Sequence, residues 1–284
     1  MKKNIISFMN MKGGVGKTTL CVNLADCLSK HFELRVLVID LDPQFNATQY
    51  LMDHEHYLKN IFEQEKTVKS IFKTKKIDSN VLNGTILPGE EIIECHIENI
   101  SNNLDLICGD LKMTELDGNL SKLEKRLKKY IGNEDLRNKY DFIFIDCPPT
   151  QSLYTTAAFN ASDYYILPVK PDFLSILGIN LFQTTINSLN DTEHRLECLG
   201  MVFTLVQEYP YIKNKMDELR ERYPFYTFEK SMKQSTEVLQ NAEKHVCLYS
   251  TSFKNDIIDL SREFIVRYEE STGEEVLDNA ESIQ

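Results

Sequence analysis

The segment Lys12–Thr19, "KGGVGKTT", gathers residue types suited to holding a phosphate chain. Glycines let a backbone turn tightly and aim successive N–H groups at an anion, an approach that side chains would block. Gly13, Gly14, Val15 and Gly16 form such a loop, and Lys17 adds a cation for the β- and γ-phosphates. The Thr18 hydroxyl suits a Mg²⁺ ion, and Thr19 carries the next backbone N–H. The usual spacing is G-x-x-x-x-G-K-[ST], which would put a glycine at position 11. Met11 stands there instead, and a second lysine, Lys12, follows it. Two acidic segments complete the set. "VLVIDLDPQFNAT" (36–48) places Asp40 and Asp42 after an apolar run, and "FIFIDCPP" (142–149) does the same for Asp146. Asp146, with Asp40 and Thr18, suits the binding of Mg²⁺, and Asp42 suits orienting an attacking water.

Such groups converge only if the elements carrying them are neighbouring parallel strands whose carboxyl ends face one crevice. The apolar runs "IISFM" (5–9), "VLVID" (36–40), "LDLI" (104–107), "FIFID" (142–146), "YYILPV" (164–169) and "MVFTLV" (201–206) read as strands. They are nearly continuous rather than alternating, as a sheet covered on both faces requires. Helical stripes separate them: apolar residues at 20, 24 and 28; Leu120, Leu123, Leu127 and Tyr130; and Phe253, Ile257, Leu260 and Phe264. The expected fold is α/β, a doubly wound and mostly parallel sheet with helices on both faces, of the P-loop NTPase type. Residues 1–268 are expected to form one domain. Residues 52–103, polar and weakly patterned, supply short helices and loops on one edge, and 269–284 form an acidic, disordered tail.

The chain has 284 residues and a net charge of −11, which excludes a uniformly basic nucleic-acid binder. The last stretch, "EESTGEEVLDNAESIQ", holds six acids and no base, so the rest is only mildly acidic. No run of 18 apolar residues occurs, and the start "MKKNIISFMN" passes into a strand rather than a signal peptide. A cytoplasmic protein is expected. Seven cysteines without a C-x-x-C pair read as reduced core thiols, neither a disulfide framework nor a zinc site.

The motifs "KGGVGKTT" (12–19), "DLDPQFNAT" (40–48), "IDCPP" (145–149) and "LPVKPD" (167–172) resemble, in order and spacing, those of the ParA family of deviant Walker-A ATPases. The resemblance spans about residues 3–268. It points to the short form of partition ATPase, with no helix-turn-helix domain ahead of the loop. It implies ATP and Mg²⁺ as cofactors, and a slow, partner-stimulated ATPase with Lys12, Lys17 and Asp42 as catalytic residues. It also implies nucleotide contacts from Lys12 through Thr19 and from Pro171 and Asp172. The early lysine, Lys12, would cross a face-to-face homodimer to the phosphates bound by the other subunit, where a second cation gains most because water is scarce. A nucleoid-associated dimer would bind double-stranded DNA without sequence preference and work with a centromere-binding adaptor to segregate plasmid or chromosomal DNA. The DNA-contact segment aligns with "FEKSMKQST" (228–236), making Lys230 and Lys233 candidates, with Lys213, Lys215, Arg220 and Arg222 nearby.

Two departures from the family pattern stand out. Phe45 replaces the glycine of "DPQGNAT", and a backbone needing positive φ would strain it. This places less weight on Gln44 and Asn46 than on Asp42. An arginine expected after the strand ending near Val206 has no basic counterpart in "QEYP". Further basic runs lie at 66–76, with five lysines and no acid, and at 122–129, with five bases and one acid. Related switches that position a protein cargo share these motifs and are an open alternative. A MinD-like membrane switch needs a basic amphipathic helix at the end, whereas acids stand here. An iron–sulfur reductase would need bridging cysteines in another pattern, and a capsule-type tyrosine kinase a tyrosine-rich tail.

Overall fold

The computed structural model describes residues 2–73, 95–115, 120–190 and 196–277. Among the described residues seven strands form one sheet: β1 (Ile5–Phe8), β2 (Val36–Asp40), β3 (Glu98–Ser101), β4 (Leu104–Ile107), β5 (Phe142–Asp146), β6 (Tyr164–Val169) and β7 (Glu197–Phe203). Their order is β3-β4-β2-β5-β1-β6-β7, parallel throughout except that β3 runs antiparallel to β4. The doubly wound α/β expectation therefore holds.

Alternate residues of each strand enter two separate cores. Ile6, Phe8, Val36 and Val38 face one core, built with helix α1 (Lys17–His31). Ile5, Leu37, Ile39, Ile143 and Ile145 face the other. Both faces are apolar because both are covered, which is why no polar alternation marks these strands. Helices α2 (Asn46–Leu51), α3 (Arg126–Asn133), α4 (Leu153–Ala161), α5 (Ser175–Leu189), α6 (Pro210–Arg222), α7 (Thr236–Glu243) and α8 (Lys254–Thr272) complete the layers used below.

The register fixes the site. Asp146 at the end of β5 lies opposite both Phe8 of β1 and Asp40 of β2, so three loops leave the sheet at one level.

Four expectations are corrected. The last strand is Glu197–Phe203 rather than 201–206, because the chain turns at Thr204, whose hydroxyl donates to the Val15 carbonyl in the phosphate-type loop. β3 was not foreseen, since an edge strand reading "ENIS" is half exposed and lacks an apolar run. The stripe from 120 to 130 is two helical pieces, broken at Glu124–Lys125, although Leu123, Leu127 and Tyr130 are buried as expected. The acidic tail does not begin at 269: α8 continues to Thr272 and stops at Gly273, whose φ of 70° is the left-handed stop glycine tolerates. The chain then folds back, with the Val276 N–H donating to Glu269 Oε1 at 2.8 Å and Val276 and Leu277 packing on the core. The remainder of that tail, 278–284, lies outside the described residues, as do residues 74–94 of the edge segment.

All seven cysteines are free thiols. No helix among the described residues is long and apolar enough to cross a membrane.

Candidate functional site

The loop between β1 and α1 is pinned at its start by Asn10. Its Nδ2 donates to the Pro168 carbonyl at 2.8 Å, and its Oδ1 accepts the Lys12 N–H at 2.9 Å. This fixes the loop although Met11 occupies the usual glycine position. Gly14 and Gly16 take φ of 68° and 78°, left-handed values that side chains resist. Gly16 also begins α1, so the free N–H groups of that helix and its positive end point into the loop.

Lys17 is buried, and its Nζ donates to the Lys12 carbonyl at 3.2 Å, curled over its own loop. Burial draws its pKa down, and the charges of Asp146 and Asp42 oppose that. The Thr18 hydroxyl donates to Asp146 Oδ2 at 2.7 Å. The other oxygen, Asp146 Oδ1, is buried without a hydrogen-bond partner among the described residues. Burial is the main cause that raises Asp146 to about 7, with Asp42 adding and Thr18 and Lys17 opposing. A buried carboxylate oxygen with nothing to bind, next to a threonine hydroxyl, fits a divalent cation that keeps its remaining ligands as water and phosphate. No group of three or more His, Cys, Asp or Glu side chains is placed to hold a metal among the described residues, and such a site does not need one.

Asp42 opens onto the same cavity, and its Oδ1 accepts the Gln44 N–H at 2.9 Å. Asp40, expected as a metal ligand, is placed differently. It is wholly buried, its Oδ2 accepting both the N–H and the hydroxyl of Thr48 at 2.8 Å and its Oδ1 the Asp42 N–H at 3.2 Å. Burial, then the charge of Asp146, holds its carboxyl well above the usual range. Both oxygens are committed to shaping the Asp42 loop, so Asp40 acts on the site through Asp42.

Phe45 does take a left-handed backbone, φ 41° and ψ 40°. Its ring is buried and stacks on Tyr57, centroids 5.2 Å apart and planes 15° apart. Residue 109 completes the arrangement: a Cβ there would lie 2.7 Å from Phe45 Cβ and 2.9 Å from Asp40 Cγ, so only glycine fits.

Gly13, Gly14, Val15, Gly16, Lys17, Thr18, Thr19, Asp42, Gln44 and Asn46 line one cavity of about 770 Å³. Lys12, Pro171 and Asp172 are not on its wall. Lys12 Nζ instead sits 2.6 Å from both oxygens of Asp172 in the same chain. Sequence reasoning missed the far wall of the cavity, which includes Gln49, Tyr50, Met52, Tyr57, Ala242 and His245. Those residues come from segments about 190 positions apart and carry no shared motif; the only available signal was their aromatic and histidine content.

The basic candidates do not line this cavity, and most of them are paired with acids. Lys230 meets Asp259 at 2.8 Å, and Lys233 lies 3.6 Å from Glu208 and 3.7 Å from Asp256. Lys215 meets Glu218 at 2.8 Å and Arg220 meets Asp217 at 3.1 Å, while Lys213 and Arg222 are exposed on α6. In the 122–129 run, Arg126 is a buried clamp, its guanidinium donating to the carbonyls of Ile71 and Lys73 at 2.6 Å. Lys75 and Lys76 of the 66–76 run lie outside the described residues.

The family model for the AAA domain matches residues 3–198. The sporulation initiation inhibitor protein Soj of Bacillus subtilis is 35% identical over 188 residues, 64% of this chain and 64% of Soj. A virulence plasmid ParA family protein of Chlamydia psittaci is 27% identical over 206 residues, 72% of this chain and 70% of its own. Among solved structures, a plasmid partition protein of Borrelia burgdorferi bound to AMPPNP superposes with a TM-score of 0.72 at 25% identity, covering 95% of this chain and all of its own.

Proposed function

This chain belongs to the ParA family of AAA-domain P-loop ATPases, and from that premise we propose that it is an ATP-driven dimerising switch that partitions DNA. One observation carries the chemical part of this reading: Lys17, Thr18, Asp42 and the unpartnered Asp146 Oδ1 meet at the carboxyl ends of β1, β2 and β5. In a nucleotide complex the backbone N–H groups of residues 13–19 and the Lys17 ammonium hold the phosphate chain. Thr18 and Asp146 would hold Mg²⁺, which would neutralise charge on the terminal phosphates. Asp42 accepts a hydrogen bond from the attacking water and directs it in line. Burial of this cluster strengthens each electrostatic contact relative to water.

The switch part of the reading rests on Lys12. Its ammonium is not on the wall of its own cavity; the family resemblance supports its serving the phosphates of a second subunit that closes face to face. The dimer then presents two copies of each basic surface on one rigid body, which raises the effective concentration for the second DNA contact. The partner is a DNA-bound adaptor with a basic segment that speeds hydrolysis.

The test is binding of double-stranded DNA of unrelated sequences with ATP, with ADP and without nucleotide, alongside flotation with anionic vesicles. DNA binding that requires ATP, falls steeply with salt and ignores sequence is expected. Vesicle binding without DNA binding would replace this reading with a membrane switch.

A further inference from the structure

The phosphate loop and the segment that carries Lys233 are joined by three consecutive residues just past β7: Thr204, Leu205 and Val206. Thr204 is buried. Its N–H donates to the Val169 carbonyl at 3.0 Å, and its hydroxyl donates to the Val15 carbonyl inside the loop. A trans peptide is planar, so its C=O and N–H point in opposite directions. Tying the Val15 carbonyl to Thr204 therefore turns the Gly16 N–H the other way, and that N–H is among those proposed above to hold the phosphate chain. A Cβ at Gly16 would stand 3.4 Å from Thr204 Cβ and 3.8 Å from Leu205 Cγ, so both side chains lie against the loop.

Val206 holds the other side. Its N–H donates to the Met232 carbonyl at 3.0 Å, and its carbonyl accepts the Gln234 N–H at 2.9 Å. Those two groups flank Lys233, so Val206 sets the backbone position of that lysine. The Phe203 carbonyl accepts the Met232 N–H at 2.9 Å and continues the pairing along β7. Between the two anchors Leu205 has φ 53°, a left-handed value that is strained in a bulky residue. Such a conformation persists only where its surroundings over-determine it. Releasing either anchor lets Leu205 relax, and the other anchor shifts with it.

We propose that Thr204 is a positioning residue for the phosphate loop and that, through Leu205 and Val206, occupancy of the loop sets the order of the Lys233 segment. This rests on the phosphate-loop and DNA readings above and adds a link within one subunit. Dimerisation doubles the basic surface, whereas this link prepares each copy of it. A phosphate accepting the Gly16 N–H polarises that peptide and makes the Val15 carbonyl a stronger acceptor. The Thr204 bond tightens, Leu205 is kept in its strained form, and the pairing of Val206 with 232–234 is held.

The test is amide hydrogen exchange of the full chain, free and with Mg·ADP, at a protein concentration where sedimentation shows monomer. In the wild type, ADP should slow exchange several-fold at 204–206 and at 232–234. Thr204→Val keeps the side-chain shape but removes the donor. It should bind ADP roughly three- to tenfold more weakly, the effect of one lost hydrogen bond, and lose the slowing at 232–234 even when saturated. Thr204→Ser should restore both. A purely structural role would lower the melting temperature of Thr204→Val and leave the ADP-dependent slowing intact, which overturns the proposal. Wild-type exchange at 232–234 that ignores bound ADP also overturns it, and that result needs no variant to fold. If ADP slows exchange there but DNA binds under no condition, the coupling stands and the DNA reading fails. If the wild type binds no ADP, the phosphate-loop reading fails, and this proposal fails with it.

Discussion

Lys12 Nζ is held at 2.6 Å by both carboxylate oxygens of Asp172, 160 residues away in the same chain. Asp172 is in turn fixed by the Leu174 N–H at 3.0 Å and the Ser175 hydroxyl at 3.1 Å, and Gly178 packs beside the lysine stem. Burial raises the Asp172 carboxyl, but the bond and charge of Lys12 outweigh it and leave the group below its ordinary value. A depressed carboxylate contributes stability above its unfolded pKa and loses it as pH falls through the folded one. At neutral pH the pair is therefore formed. A lysine that must reach a second subunit has to leave this carboxylate first.

Asp172→Asn keeps a hydrogen-bonding side chain at the turn but removes the charge that holds Lys12. ATP-dependent dimerisation should then occur at a several-fold lower protein concentration, since a partly exposed pair is worth about 1 kcal/mol or less. Sedimentation at a series of concentrations measures it. Weaker dimerisation would mean that Asp172 itself contacts the partner.

Gly109→Ala should destabilise the fold by about 1–3 kcal/mol, the usual cost of overpacking. The new Cβ would meet Phe45 Cβ at 2.7 Å and Asp40 Cγ at 2.9 Å. Asp40 cannot give way without releasing Thr48, whose hydroxyl also accepts the Gly109 N–H at 2.8 Å. Thermal or denaturant unfolding reads this directly, and a neutral result would contradict the close approach.

Phe45→Gly sets two effects against each other. Relief of the left-handed backbone is worth about 1–2 kcal/mol. Loss of a buried, stacked phenylalanine ring costs about 3–5 kcal/mol. The ring wins, so the variant should be less stable by about 1–4 kcal/mol. A variant more stable than the wild type would show that the Tyr57 stack contributes little.

Lys230 and Lys233 are tested by their acids as well as by their own removal. Replacing both lysines with alanine should weaken DNA binding and flatten its salt dependence by roughly one unit per lost contact. Asp256→Asn with Asp259→Asn should strengthen binding, because those carboxylates neutralise the same lysines. If the second pair of changes has no effect on DNA affinity, this surface is not the contact.

What the sequence made legible follows from locality. β2 and β5 could be read because each is a short buried run ending in an aspartate, Asp40 or Asp146, with Asp42 two residues beyond the first, and β1 because its apolar run leads into the glycine loop. The left-handed need at Phe45 could be anticipated because a single residue type broke an expected glycine position. Asp172 as the partner of Lys12, and the facing of Tyr50 by His245, depend on crossovers that no window of sequence contains. Asp40 looked like a metal ligand because its position matches one; only the three-dimensional placement of Thr48 shows where its oxygens go. β3 escaped because an exposed edge strand has no apolar signature.

One measurement addresses the nucleotide-controlled switch most directly: sedimentation of the wild type, Lys17→Ala and Asp42→Ala with Mg·ATP and with Mg·ADP. Wild type should dimerise more strongly with ATP than with ADP. Asp42→Ala should persist as an ATP dimer because hydrolysis is slowed, and Lys17→Ala should stay monomeric with either nucleotide. An association state that is the same with ATP, with ADP and in all three proteins would contradict the switch.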